Sequence, residues 1–142
     1  MASKQASINL GDGILERLDE ESRRTGRSRS EVAETLIEEG LRMAAHPEIK
    51  FRSGGSGRRR PALLSGPDIW CVARVIRGTK GTPDRVLKQT VKLTGLRPDQ
   101  VEVAMKYYAG YRDEIDEWLR DLDEYANRAE DDWRRERGLP PL

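Results

Sequence analysis

Cysteine and histidine are nearly missing from this sequence, which has one of each. One thiol and one imidazole cannot build a disulfide framework, a cysteine-rich zinc site or a cysteine–histidine catalytic pair within one chain. A lone thiol is typical of the reducing cytoplasm. We therefore expect a cytoplasmic protein that is not an enzyme and that needs no cofactor or metal.

Aromatic residues are also scarce, at 6% of the chain, and no stretch approaches the roughly 18 apolar residues of a membrane span. The N-terminus lacks the apolar region of a signal peptide. Charged residues make up 36% of the 142 residues. This polar composition favours helices and leaves few apolar residues for a large core. Together with the lack of a long apolar stretch, it predicts a protein that does not associate with a membrane.

The net charge of +1 hides a strong segregation along the chain. Residues 1–45 carry 7 basic and 9 acidic side chains, residues 46–112 carry 14 and 5, and residues 113–142 carry 5 and 11. A basic middle between two acidic segments predicts three parts with three different roles.

The first part begins with "QASINL", in which polar and apolar residues alternate. This period of two predicts a half-buried strand over residues 5–10. "GDG" then breaks the pattern, Asp12 can cap the helix that follows, and Gly26 can end that helix in a left-handed conformation.

A second helix begins at Ser28, where Glu31 completes an S-x-x-E capping box. Its apolar face contains Val32, Ala33, Leu36, Ile37, Leu41 and Ala44. One strand and two helices cannot stand alone, because the strand has no neighbour and the core is too small. A second copy would supply both the missing strand and the missing core.

This order of elements, with "GRSRSE" at the start of the second helix, resembles the ribbon-helix-helix family of the Arc and MetJ repressors and many antitoxins over residues 4–45. The resemblance implies an intertwined homodimer whose β-ribbon enters the major groove of double-stranded DNA, the protein's own operator. It assigns base reading to Gln5, Ser7 and Asn9, and phosphate binding to Arg27, Ser28, Arg29 and Ser30. Gln and Asn can bond bidentately to adenine, and a helix N-terminus attracts phosphate.

The ribbon departs from the family's pattern, because no arginine lies between Lys4 and Arg17. The alternative interpretation is that the polar ribbon residues are only the solvated face of a dimerisation ribbon, and that Ser28 is only a cap. The two roles of Ser28 are compatible.

In the middle part, "IKFR" and "RRRPALL" predict two short extended pieces joined by a flexible "SGGSG" turn, after Pro47 stops the preceding helix. The apolar segment "PDIWCVARVI" is typical of a buried helix or strand, and its pattern favours the helix. Two further helices are predicted in "TPDRVLKQTVKLTG" and "LRPDQVEVAMKYYAGY". The connection between the last two is typical of a helix-turn-helix. The side chains that we expect inside these last two helices are Val86, Leu87, Val91, Leu93, Val101, Ala104, Met105 and Tyr108.

His46-Pro47 and "VEVAMKYYAGYRDEID" resemble a small domain found on VapB-type bacterial antitoxins, although the usual "RGTR" stretch is only "RGTKGT" here, with an insertion before it. The resemblance implies a small helical, winged-helix-like domain. The basic charge fits a nucleic-acid surface, where Arg58, Arg59 and Arg60 could follow phosphates. Alternatively, these arginines keep the domain soluble or pair with the acidic tail.

The acidic tail predicts an amphipathic helix of about 25 residues that ends at Gly138 and Pro140. Its apolar stripe contains Ile115, Trp118, Leu119, Leu122, Tyr125, Ala126, Ala129 and Trp133. The stripe either packs back on the body or docks a partner. Both can hold, with Trp118 packed internally and Trp133 exposed. Antitoxins usually bind their toxin through a C-terminal segment, and family association implies a PIN-like ribonuclease as that toxin.

These observations predict a mainly α protein with a short β-ribbon: a ribbon-helix-helix dimer (1–45), a basic helix-turn-helix-like domain (46–112) and a long acidic helix (113–142). The function expected by resemblance is that of a DNA-binding antitoxin that represses its own promoter and neutralises a toxin. A stand-alone transcriptional regulator is the first alternative, and a protein-interaction scaffold is the second. His46 and Cys71 are expected to be structural.

Overall fold

The computed structural model of the chain describes residues 3–54 and 58–141, and it divides into two compact units. The first unit, Met1–Ala45, contains helices α1 (Asp12–Thr25) and α2 (Arg29–Ala45). The second unit, His46–Leu142, contains β1 (Ile49–Ser53), β2 (Arg59–Leu63), α3 (Ile69–Gly78), α4 (Pro83–Thr94), α5 (Pro98–Gly110) and α6 (Arg112–Glu136). The described chain is therefore mainly helical with one small antiparallel sheet. None of its described helices combines the length and the apolarity needed to cross a membrane.

The ends of the helices in the first unit follow the sequence signals. Gly26 ends α1 with φ 68° and ψ 15°, the left-handed conformation that glycine adopts without strain. The Ser28 hydroxyl accepts a hydrogen bond from the backbone N–H of Glu31 at 3.1 Å, and the Glu31 carboxylate accepts one from the Ser28 N–H at 3.3 Å. The predicted capping box is confirmed.

The segment before α1 differs from the prediction in two respects. The structure assigns residues 3–11 to neither strand nor helix, so the strand predicted over residues 5–10 is not formed in the single chain. A strand needs a neighbour for its N–H and C=O groups, and the described chain offers this segment none. Asp12 does not cap α1 either: Gly11 is the N-cap residue, and Asp12 lies in the first turn, where its charge complements the helix dipole.

The second unit begins with the predicted hairpin. Ile49 pairs with Leu63 and Ser53 pairs with Arg59 in an antiparallel register. Part of the turn predicted at "SGGSG" lies outside the described residues. One end of the hairpin is buried, because Ile49 is 1% and Leu63 2% exposed. The hairpin thereby contributes to the core of the second unit.

Helix α3 lies at the centre of the second unit and packs against α4, α5, α6 and β2. Its Ile69, Val72 and Ala73 are fully buried. From α5, Val101, Ala104 and Tyr108 are buried and Met105 is half-buried, as the sequence predicts, and Tyr107 is buried as well. This core positions the charged groups of the second unit that are discussed below.

One side chain of helix α4 is exposed where the sequence predicts that it is buried. Val86, Leu87 and Val91 are half-buried, but Leu93 is 61% exposed and was wrongly assigned to the interior. The fully buried residue of α4 is Thr90. Because consecutive residues of a helix point about 100° apart, Thr90 and Leu93, three residues apart, differ in direction by only about 60°. Leu93 therefore lies at the edge of the face that contains Thr90, and only packing against α3 and α5 decides where the covered face ends.

Candidate nucleic-acid and partner interfaces

The three proposed base-reading residues, Gln5, Ser7 and Asn9, are exposed and precede α1. The apolar residues that alternate with them are uncovered too: Ile8 is 66% and Leu10 38% exposed. An isolated segment does not keep two apolar side chains in water without cost. In the single chain these residues are accessible, but no second strand arranges them on a common face.

The N-terminus of α2 brings the four proposed phosphate-binding residues together. Arg29 pairs with Asp19 at 2.7 Å, and the Arg27 guanidinium donates to the Thr35 hydroxyl at 3.0 Å. Ser28 serves the capping box, and Ser30 is exposed. Because the first backbone N–H groups of a helix have no acceptor within the helix, an anion can bind there between the two guanidiniums.

The arginine run after the hairpin turn is engaged within the chain. Arg58 approaches Asp121 at 3.4 Å, and its guanidinium lies 3.9 Å from the centre of the Trp118 ring system. The Arg59 guanidinium donates to the Ser53 hydroxyl at 2.6 Å. Phosphate binding by these two side chains would require them to give up these contacts.

Arg60 points toward a buried carboxylate that sequence reasoning missed. The Asp68 side chain is 8% exposed, lies 3.3 Å from Arg60 and 3.7 Å from Arg52, and accepts a hydrogen bond from the Trp70 indole N–H at 3.1 Å. Arg52 and Arg60 are paired across the hairpin. Asp68 therefore joins the hairpin to the start of α3. The available signal was a lone acid at the head of the apolar segment "DIWCV".

The stripe of α6 divides into a packed half and an exposed half. Ile115 is 1%, Trp118 7% and Leu119 2% exposed, whereas Tyr125 is 70% and Trp133 48% exposed. Leu122 is half-buried, and Ala126 and Ala129 are exposed. The predicted division between a packed Trp118 and an exposed Trp133 is confirmed. The stripe is thus core at its start and available to a partner at its end.

A buried hydrogen bond fastens the packed half of α6 to α5. The Tyr108 hydroxyl donates to an Asp116 carboxylate oxygen at 2.6 Å. Burial and then this carboxylate raise the pKa of Tyr108 to about 12, because both disfavour the phenolate. The hydroxyl consequently keeps its proton, and the hydrogen bond persists, throughout the physiological pH range.

Acidic side chains of α6 also face arginines of the basic middle. Asp116 lies 3.4 Å from Arg77, and Asp123 lies 3.0 Å from Arg74. Asp121 adds the contact with Arg58 described above. Each exposed pair contributes little to stability, but together they place negative charge against a large part of the basic surface. Arg58, Arg74 and Arg77 thus pair with acids of the tail, as the alternative interpretation expects, whereas Arg60 faces Asp68 of the basic middle itself.

His46 and Cys71 occupy structural positions. The His46 ring meets the Tyr107 ring edge-on at 5.2 Å between centroids and the Tyr111 ring at 6.0 Å. Cys71 is half-buried and not fully buried, and this partial burial raises the pKa of its thiol. A raised pKa keeps the thiol protonated, the opposite of what a nucleophile requires.

Comparison with family models, with curated proteins and with solved structures finds no match to this chain. The function of the chain is therefore inferred from its exposed groups. These are the polar segment before α1, the N-terminus of α2, the uncovered apolar faces and the free end of α6.

Proposed function

We propose that the protein is a homodimeric, sequence-specific DNA-binding antitoxin of the ribbon-helix-helix type, which represses its own promoter and neutralises a toxin through the end of α6. The observation that carries the proposal is the incompleteness of the first unit. Within residues 3–45, its core contains only two buried hydrophobic side chains, Leu18 and Val32. Two apolar surfaces of the same unit are left uncovered, and a second copy would cover both.

The first uncovered surface runs along α2. Leu36 is 47%, Ile37 51% and Leu41 63% exposed. Together with Ala33, Gly40 and Ala44 they recur at steps of three and four residues, so they form one continuous stripe. Since exposed apolar faces of this extent mark interaction sites, the stripe favours packing against the same stripe of a second chain.

The second uncovered surface is the alternating segment before α1. If two copies of residues 5–10 pair as antiparallel strands, Ala6, Ile8 and Leu10 fall on one face and cover the helices. The polar residues then face outward, where Gln5 and Asn9 can bond to base edges. The two α2 N-termini of such a dimer would hold phosphates through Arg27, Ser28, Arg29 and Ser30. A helix-turn-helix-like or winged-helix-like second unit is a further part of the same proposal, in which Arg58, Arg59 and Arg60 exchange their present contacts for phosphates of the DNA.

Replacing Asn9 by alanine is expected to lower the affinity for operator DNA by about 1–3 kcal/mol, because a bidentate base contact is lost. Affinity for shuffled duplex DNA of the same composition is expected to stay unchanged. Fluorescence anisotropy with labelled duplexes from the region upstream of the protein's own gene measures both. Asn127→Ala is the matched control, since Asn127 is an exposed asparagine on α6. If Asn9→Ala and the wild type bound operator DNA with equal affinity, the assignment of Asn9 to base contacts in the major groove, here called the groove assignment, would be contradicted.

The toxin part of the proposal is supported by the free end of α6. Tyr125 and Trp133 present large aromatic surfaces from a helix whose earlier turns are anchored in the core. Aromatic side chains on an anchored helix are the usual contacts of a helix-in-groove interface. A PIN-like ribonuclease as the partner follows from family resemblance.

Co-expression with the product of the adjacent gene tests the toxin part. We expect residues 1–142 to capture that protein and residues 1–123 to fail. Truncation after residue 123 keeps the buried side chains of α6 and its three acidic contacts, whereas truncation after residue 112 would remove Ile115 and Leu119 from the core. Far-UV circular dichroism checks that the shortened chain is folded. Absence of capture by both folded chains would favour the stand-alone regulator, in which residues 46–142 serve oligomerisation or a second DNA contact.

A further inference from the structure

Helix α4 carries a line of cations, Arg85, Lys88 and Lys92, which we call the α4 basic face. The three residues follow one another at steps of three and four, so they lie on one side of the helix and span about 10 Å along its axis. All three are exposed. The sequence pattern predicts phosphate binding by Arg58, Arg59 and Arg60 instead, and it predicts no role for the α4 basic face.

The α4 basic face meets fewer acidic side chains than Arg58, Arg74 and Arg77 do. Within residues 3–54 and 58–141, neither Arg85 nor Lys92 forms an ion pair. Lys88 pairs with Asp84 of the same helix at 3.0 Å, between side chains that are 76% and 70% exposed. An exposed pair of this kind contributes about 0.5 kcal/mol or less, so a phosphate can replace the carboxylate. By contrast, Arg58, Arg74 and Arg77 face acids of α6.

Arg85 is also held in place before any ligand binds. A Cβ atom at position 81 would lie 2.7 Å from the Arg85 Cδ, so the stem of Arg85 rests directly on the backbone of Gly81. Gly81 has a φ of 130°, which L side chains rarely adopt. Because the stem is already packed, Arg85 loses less conformational entropy when its guanidinium binds an anion.

The neighbouring helix α5 is unsuited to the same role. In a helix-turn-helix the second helix presents its N-terminal residues to DNA. The first turns of α5 expose Asp99 and Glu102. The nearby Arg97 is engaged with Asp99 at 3.1 Å. Carboxylates at this end repel phosphates, whereas the exposed side of α4 attracts them.

We propose that the α4 basic face binds the phosphate backbone of duplex DNA and adds sequence-independent affinity to the contacts of the first unit. This inference rests on the proposed DNA-binding function. The second unit follows the first directly in the chain, at His46, so the connection between them is short. A tether this short gives the second contact a high effective concentration once the first unit is on DNA.

The test compares two variants of the full chain that lose the same charge. R85Q/K88Q/K92Q removes the α4 basic face, and R120Q/R128Q/R135Q removes three exposed cations of α6. Glutamine keeps the helix propensity of the original residues. Fluorescence anisotropy is recorded from 50 to 200 mM salt, on duplex DNA from upstream of the gene and on a shuffled duplex, with the Asn9→Ala chain in parallel.

We expect the α4 variant to bind both duplexes at least tenfold more weakly at physiological salt, and the slope of log K against log[salt] to become about 3 units shallower for each chain in contact. The α6 variant is expected to retain the wild-type slope. Equal losses in the two variants would show an effect of net charge alone and would overturn the inference, as would an unchanged slope in the α4 variant. Failure of the groove assignment gives a different result, namely an Asn9→Ala chain that keeps its preference for the upstream duplex.

Discussion

Trp118→Ala is expected to lower the free energy of unfolding of the second unit by about 3–5 kcal/mol, whereas Trp133→Ala should change it by less than about 0.5 kcal/mol. The two tryptophans lie on the same stripe of the same helix. They differ in exposure, at 7% and 48%. Truncating Trp118 leaves a cavity where an almost fully covered side chain stood, and it removes the ring on which the Arg58 guanidinium lies.

Urea unfolding followed by far-UV circular dichroism measures both effects, because the helical signal does not depend on the tryptophans themselves. The Trp133 variant is the internal control, and the same protein then enters the co-expression experiment. We expect Trp133→Ala to weaken capture of the partner without loss of stability. Equal stability of the two variants would show that α6 is not anchored by Trp118 and that its whole stripe is free.

Leu41→Glu is expected to weaken the dimer by a factor of 100 or more, because it places a carboxylate within the proposed interface where no partner compensates it. Since the base-reading ribbon exists only when two copies pair, operator binding should fall with dimerisation. Leu41 is 63% exposed in the single chain, so the variant gains no strain within its own unit. Sedimentation velocity over a range of protein concentrations measures the change.

Leu93→Glu is the matched control for this experiment. Leu93 is 61% exposed, but it belongs to α4 of the second unit and is not part of the stripe on α2. We expect the control to sediment as the wild type does. Either of two results would contradict the homodimer and remove the basis for the ribbon. The wild-type chain could be monomeric at all concentrations, or the Leu41→Glu chain could still dimerise.

Local signals in the sequence were sufficient where a structural feature depends on neighbouring residues. The capping box of Ser28 and Glu31, the left-handed Gly26 and the end of α2 before Pro47 all follow from residues within one turn of each other. The hairpin and the length of α6 follow from pattern and from breaker residues in the same way. These features involve contacts over short sequence separations, so no tertiary information is needed to place them.

The charged sites could not be predicted in the same way. The sequence shows an arginine run and an acidic tail, but the contact between Arg58 and Asp121 joins residues that are far apart in the chain. Asp68, which is buried between Arg52 and Arg60, gives no periodic signal at all. Which cations remain available to a phosphate is decided by which acids the fold brings beside them.

By itself, the sequence determined the two helices of the first unit, the hairpin, the four later helices and the segregation of charge, because backbone propensity, capping and hydrophobic period act locally. Only the tertiary structure decided that α6 is half core and half free. It also decided that the arginine run is engaged and that, among the described residues, Arg85 and Lys92 of α4 form no ion pair. Burial and ion pairing depend on which surfaces meet across the chain, and a one-dimensional pattern does not contain that information.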